Sequence, residues 1–306
     1  MRRWMVQAAA VVLAAAGLGS LDGCGETTAP NVTIPDAAAH AAGASIAAQV
    51  GEIAASFSTS SFLEQPFLVA ERGSKLRLPR LDVARLAADH CAVVGDTTDT
   101  DADGVPDDLT VVFPADSCTV AGDSATVTLS GSVRITDPGT AAGFGITYSN
   151  LQLHIASKNG DSLTFGFDGT RDVNATPASA GLSENVTLTI AARASTVTHT
   201  VSLAQNWSVG FTPAAGQSID LEAALPDGAL ALTGSTTFVA DAQSFAFAVR
   251  TQVPLEHAAT CATPPTFTAG ELRAVVSGNQ GGAFVRIQFV GCGVDPIVTL
   301  VAQPAQ

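Results

Sequence analysis

From Leu109 onward the chain alternates apolar and polar residues with a period of two, and no other feature restricts its fold as strongly. Ala125, Val127, Leu129, Val133 and Ile135 interleave with Thr126, Thr128, Ser130, Ser132 and Arg134. The scheme recurs at Leu163, Phe165 and Phe167, at Val186, Leu188 and Ile190, and along Val197, Val201, Leu203, Trp207, Val209 and Phe211. It continues through Leu230, Leu232 and Phe238, then Phe245, Phe247 and Val249, then Leu272, Ala274 and Val276, and ends at Val285, Ile287 and Phe289. Successive side chains of a strand point to opposite faces, so each segment has one buried face and one wet face rich in Thr and Ser. Turn sequences separate the segments, among them Asp137-Pro138-Gly139, Lys158-Asn159-Gly160, Pro226-Asp227-Gly228 and Gly278-Asn279-Gln280-Gly281. About ten to twelve strands joined by short turns predict a mainly β chain, an antiparallel meander forming a curved sheet, half-barrel or barrel.

Two details refine this. Apolar positions pass from even to odd numbers between Tyr148 and Leu151, which predicts a β-bulge or bend at Ser149 and Asn150. A faint repeat, Leu129-Ser-Gly-Ser-Val, Phe167-Asp-Gly-Thr-Arg and Leu232-Thr-Gly-Ser-Thr, places glycine at an inward position each time. Those glycines are expected to relieve curvature in a strongly coiled sheet. The apolar face is expected to point inward, because a lipid-facing barrel carries aromatic girdles and this chain has one tyrosine and two tryptophans.

The N-terminus reads as an address. Arg2 and Arg3 precede an apolar run from Met5 to Leu18, long enough for a secretory signal and short for a membrane span. Leu21-Asp22-Gly23-Cys24 follows. It resembles the lipobox of bacterial lipoproteins, matching at Leu21, Gly23 and Cys24 and departing at Asp22. The resemblance implies a signal peptide over 1–23, a lipid anchor on Cys24 and attachment to a bacterial cell-envelope membrane; Gly25, in place of aspartate, points to the outer membrane.

Residues 24–35 form a Thr, Pro and Gly-rich tether, and 36–306 read as a single β-rich domain with an N-terminal helix. Asp36 is placed to cap that helix, and Ile46, Val50, Ile53 and Phe57 make one apolar stripe along about Ala37 to Ser56. Gly43 and Gly51 each cost the helix about 1 kcal/mol relative to Ala, so the stripe must dock on something. Residues 58–90 show no clear period. A helix over a curved sheet resembles, in architecture alone, the half-barrel with helical lid of periplasmic lipoprotein-localisation factors and related lipid-carrying lipoproteins. That resemblance implies an apolar small-molecule or lipid ligand.

The stretch 96–108 is the most specific chemical signal. Asp99, Asp101 and Asp103 alternate before Gly104, with Asp107 beyond. Hard oxygen donors at alternate positions suit calcium, with the Val105 carbonyl facing the ion and Asp107 binding directly or through water. The run resembles the loops of thrombospondin type 3 repeats and EF-hands, and departs from an EF-hand in having Thr110 where the bidentate glutamate would stand. It implies a structural calcium ion held by Asp99, Asp101, Asp103, Val105 and Asp107. Of five cysteines, removing the lipidated Cys24 leaves Cys91, Cys118, Cys261 and Cys292, an even set suited to an oxidising compartment. Proximity favours Cys91 with Cys118 and Cys261 with Cys292, among three connectivities open to four cysteines.

A formal charge of −14 argues against nucleic acid, which needs clustered cations to neutralise phosphate. There is no Gly-x-Ser-x-Gly elbow, His-Glu-x-x-His pair or phosphate loop. His90, His154, His199 and His257 are dispersed, and His199 falls on an apolar phase, as a core histidine would. The leading expectation is therefore a calcium-stabilised envelope lipoprotein acting as a structural or ligand-binding module. The alternative is a secreted hydrolase or isomerase whose site is assembled from dispersed residues such as His154 and Asp168.

Overall fold

The computed structural model describes residues 34–57, 93–101, 105–114, 118–121, 125–137, 142–194, 197–221, 223–240, 243–261, 263, 265–277 and 283–301. Its first element is helix α1 (Asp36–Glu52), which tightens into a 3-10 turn over Ile53–Phe57. The strands follow as β1 (Val93–Val94), β2 (Asp108–Phe113), β3 (Thr119–Ala121), β4 (Ala125–Thr136), β5 (Gly143–Ser157), β6 (Ser162–Thr176) and β7 (Ser179–Ala194). Then come β8 (Val197–Pro213), β9 (Gly228–Ala240), β10 (Gln243–His257), β11 (Phe267–Val276), β12 (Phe284–Phe289) and β13 (Ile297–Val301).

These strands make one 13-stranded sheet in which each long strand pairs with its neighbours in sequence. All pairings are antiparallel. The expected meander is therefore an open curved sheet, with no pairing of β1 to β13 among the described residues. At one edge β2 and β3 line the same side of β4, one after the other, separated by the turn that holds Cys118.

Curvature is built where the sequence placed glycine. Gly131, Gly169 and Gly234 adopt φ of 103°, 127° and 157°. A Cβ on any of them would lie about 2 Å from the backbone carbonyl oxygen of Asn150, Asn185 or Asn206, respectively, on the neighbouring strand. Only a residue without Cβ lets the strands approach there. The bulge in β5 falls at the predicted place: register slips between Tyr148 and Leu151, and Asn150 has a positive φ of 48°. Asp168 accepts a hydrogen bond at 2.6 Å from the Asn150 amide that the bulge displaces.

One apolar core runs from α1 through the inner faces of β2 to β12. Helix α1 buries more than a stripe: Ala38, Ala39, Ala42, Ile46, Ala47 and Val50 are all enclosed, while Asp36, Ala37, His40 and Ala44 face solvent. The alanines keep the helix slim enough to sit close on β12 and β13. Beyond the helix, Phe57 begins a chain of rings. It lies 6.4 Å from Phe211 of β8, which lies 6.0 Å from His257 of β10; His257 is 6.3 Å from Phe267 of β11, itself 5.2 Å from Phe289 of β12. The N-terminal segment is thus fastened across the second half of the sheet.

The helix start differs from expectation by one residue. Pro35 occupies the N-cap position without a side-chain cap, and Asp36 is the first helical residue. There its carboxylate still favours the positive end of the helix dipole.

Candidate functional site

At the centre of the sheet the apolar inner face is interrupted by polar side chains from adjacent strands. Arg171 of β6 is opposite Glu184 of β7, and both are enclosed, with side-chain exposures of 8% and 1%. The Arg171 guanidinium donates to Glu184 Oε2 from Nε at 3.1 Å and from its terminal nitrogen at 2.8 Å. Gln205 of β8 donates through Nε2 to Glu184 Oε1. The other amide atom, Gln205 Oε1, is buried without a hydrogen-bond partner among the described residues. Trp207 donates from Nε1 to Thr236 Oγ1 at 3.0 Å, and Tyr148 packs edge-on against Phe167 at 4.7 Å.

The electrostatics of this cluster follow from burial. Desolvation pushes the Tyr148 phenol above its ordinary value, with Arg171 pulling the other way and Glu184 adding to the rise. Burial is the largest influence on Arg171 and opposes its charge, yet the charge and hydrogen bond of Glu184 together with Tyr148 outweigh it, and the guanidinium is held charged. A buried, paired charge of this kind supplies orientation rather than net stability.

The cluster was hidden in plain alternation. The inward phase of Phe165 and Phe167 extends to Arg171, that of Val186 and Leu188 extends back to Glu184, and Leu203 and Trp207 bracket Gln205. Polar residues on an otherwise apolar phase were the available signal.

The acidic stretch forms the connection between β1 and β2. Val105 is buried at 4% exposure and anchors the loop in the core, while Asp107 donates its amide to Thr98 O at 2.8 Å and accepts Asp137 N at 3.1 Å through its carbonyl. Both carboxylate oxygens of Asp107 accept from Thr100, at 3.0 Å from the amide and 2.5 Å from the hydroxyl. Those bonds hold the Asp107 carboxyl below the usual range; Thr98 does the same for Asp96. Asp108 is taken up by Arg134, which grips both its oxygens at 2.7 and 2.6 Å. Asp99 and Asp101 lie on the same connection, whereas Asp103 and Gly104 fall outside the described residues, and no group of three or more metal-ligating side chains occurs among those described. Of the expected calcium ligands, Asp107 has both carboxylate oxygens engaged by Thr100, so the calcium expectation rests on the sequence pattern of the loop.

Cys261 and Cys292 are bonded, with Cα atoms 5.7 Å apart, and tie the two ends of the β11–β12 hairpin. Cys118 is disulfide-bonded as well; Cys24 and Cys91 lie outside the described residues, as does His90. His154 bonds through Nδ1 to Thr164 Oγ1 at 2.8 Å, while Asp168 serves the bulge, so the two are not brought together. His199 is half-buried near the start of β8 rather than deep in the core. His257 is the enclosed histidine among the described residues: it donates from Nδ1 to Pro226 O at 2.9 Å, and burial lowers its pKa.

No protein-family model matches the chain, and no curated protein or solved structure matches it either.

Proposed function

We propose that the chain is a lipid-anchored protein of the bacterial cell envelope whose curved sheet is a binding module for an apolar ligand, with the acidic loop as a calcium clasp. The observation that carries the binding reading is Gln205. Its amide oxygen is buried and unmatched at the centre of an apolar inner face. An unmatched buried acceptor costs about 1–3 kcal/mol, and a ligand donor placed there recovers that loss. A fatty alcohol or amide has the required character: an apolar body for the inner face and a hydrogen-bond donor for Gln205.

The reading also draws on the sequence of residues 1–24 and on α1, which covers the β12 and β13 end of the inner face. Organic extraction of protein purified from a bacterial envelope, followed by mass spectrometry, should yield acyl-chain lipid in proportion to protein. Gln205→Leu should reduce the yield severalfold while the fold persists. An extract without lipid, together with failure to take up a fatty alcohol supplied in excess, would overturn the carrier reading and leave a scaffold. The anchor is checked separately: metabolic labelling with a lipid precursor should mark the chain and fail for Cys24→Ser.

A further inference from the structure

The outer face of the sheet carries a feature that the linear sequence disperses. Register places Arg250 of β10 opposite Arg273 of β11, and Arg273 opposite Arg286 of β12. Three guanidinium groups therefore stand side by side on adjacent strands. Only seven Lys and Arg residues follow position 93, and three of them are in this row. The row continues in hydroxyl side chains on both sides. Thr233, Ser208 and Ser183 extend it across β9, β8 and β7, and Thr299 of β13 lies beyond Arg286.

Like charges directly opposite each other on a sheet repel, so this arrangement needs an account. Internal partners do not supply it. Arg273 reaches Glu271 Oε1 at 3.3 Å and stacks over the Phe284 ring at 4.7 Å. Arg250 and Arg286 make no ion pair or hydrogen bond among the described residues, and the Arg286 Nε is buried without a partner. Glu271 is shared with Gln288 at 3.4 Å, which leaves one carboxylate against three guanidinium groups.

We propose that this row is a binding site for a compact multivalent oxyanion, a soluble ligand bearing two or more phosphate or sulfate groups. Adjacent strands are about 4.8 Å apart, so the three guanidinium groups span about 10 Å, the scale of a small polyphosphate or bis-ester. Each guanidinium offers a planar fork that matches phosphate oxygens in pairs, and the flanking hydroxyls add neutral donors. The Phe284 ring fixes the central guanidinium in place, which limits the entropy lost on binding. The ligand is small because the charge of −14 on the whole chain repels a long polyanion or an anionic membrane. A compact anion within a Debye length of about 8–10 Å is governed by the local row instead.

The test uses inorganic pyrophosphate as the probe and the mature chain as the protein. Calorimetric titration at low ionic strength should show saturable binding that weakens at about 0.15 M salt. Arg250→Gln and Arg286→Gln should each weaken it by about tenfold or more, and Lys158→Gln should leave it unchanged. Without anion, both arginine variants should be at least as thermally stable as the parent, since each removes repulsion; a variant that is merely misfolded would be less stable. Absence of saturable binding, or an equal loss in Lys158→Gln, would overturn the proposal. So would partitioning onto vesicles containing phosphatidic acid without pyrophosphate binding, which would make the row a membrane contact.

Discussion

Gly43 of α1 faces Val298 of β13 so closely that a Cβ on the glycine would stand 2.5 Å from Val298 Cγ1 and 2.8 Å from Val285 Cγ1 of β12. The glycine that weakens the isolated helix is what lets it dock. Helix propensity alone would credit Gly43→Ala with about 1 kcal/mol of added stability. Overpacking costs about 1–3 kcal/mol, and the contact atoms belong to β-branched side chains with little freedom to move. The substitution should therefore be destabilising on balance, measured as a lower denaturant midpoint at unchanged slope. A raised midpoint would mean that α1 does not rest on β12 and β13 in this way.

Much of this fold was legible in the sequence because a sheet with one buried face writes its period directly. The strand alternation from Leu109, the bulge at Asn150 and the inward glycines 131, 169 and 234 all reappear in the register and the backbone angles. What depends on pairing between distant segments was not legible. Arg250, Arg273 and Arg286 read as scattered cations until register aligned them. His199 shows the opposite limit: its phase is inward, but it lies close to Val197, which is 53% exposed, where the strand runs out beyond the core. Alternation gives the face of a residue and not its depth. The central polar cluster was legible in principle, since Arg171, Glu184 and Gln205 break apolar phases.

Removing one member of that cluster should be far more costly than removing its charge altogether. Glu184→Leu leaves Arg171 buried without its carboxylate and should lower stability by about 3–5 kcal/mol. The double replacement Arg171→Met with Glu184→Leu should recover most of that loss, because neither desolvated charge remains. Denaturant unfolding of the two single variants and the double variant measures the coupling. Additive losses would show that the pair is solvated, contrary to its 8% and 1% side-chain exposures.

The calcium clasp proposed for the acidic loop makes a separable prediction. A ligand bound only by the folded chain raises its melting temperature in proportion to the logarithm of its concentration. Calcium should raise the melting temperature of the chain, and EDTA should reverse the rise. Asp101→Ala should abolish the response, while the Thr98, Thr100 and Asp107 bonds of the loop remain. Indifference to both calcium and EDTA would reduce the loop to an acidic connection.

His257 gives the fold a pH dependence of predictable sign. Its ring lies between Phe211 and Phe267, and burial lowers its pKa from 6.5, only partly offset by the Pro226 carbonyl and by Asp227. The unfolded chain therefore binds a proton more readily than the folded one over the interval from the folded value up to about 6.5. The contribution of His257 to stability is complete above that interval and is lost progressively as pH falls through it. The loop carboxylates act elsewhere: Asp96 and Asp107 are lowered from 3.8, so their contribution fades only in stronger acid. Denaturant midpoints taken between pH 7 and pH 5 should fall toward acid, and His257→Phe should flatten that slope. A slope that survives the substitution would assign the dependence to another group.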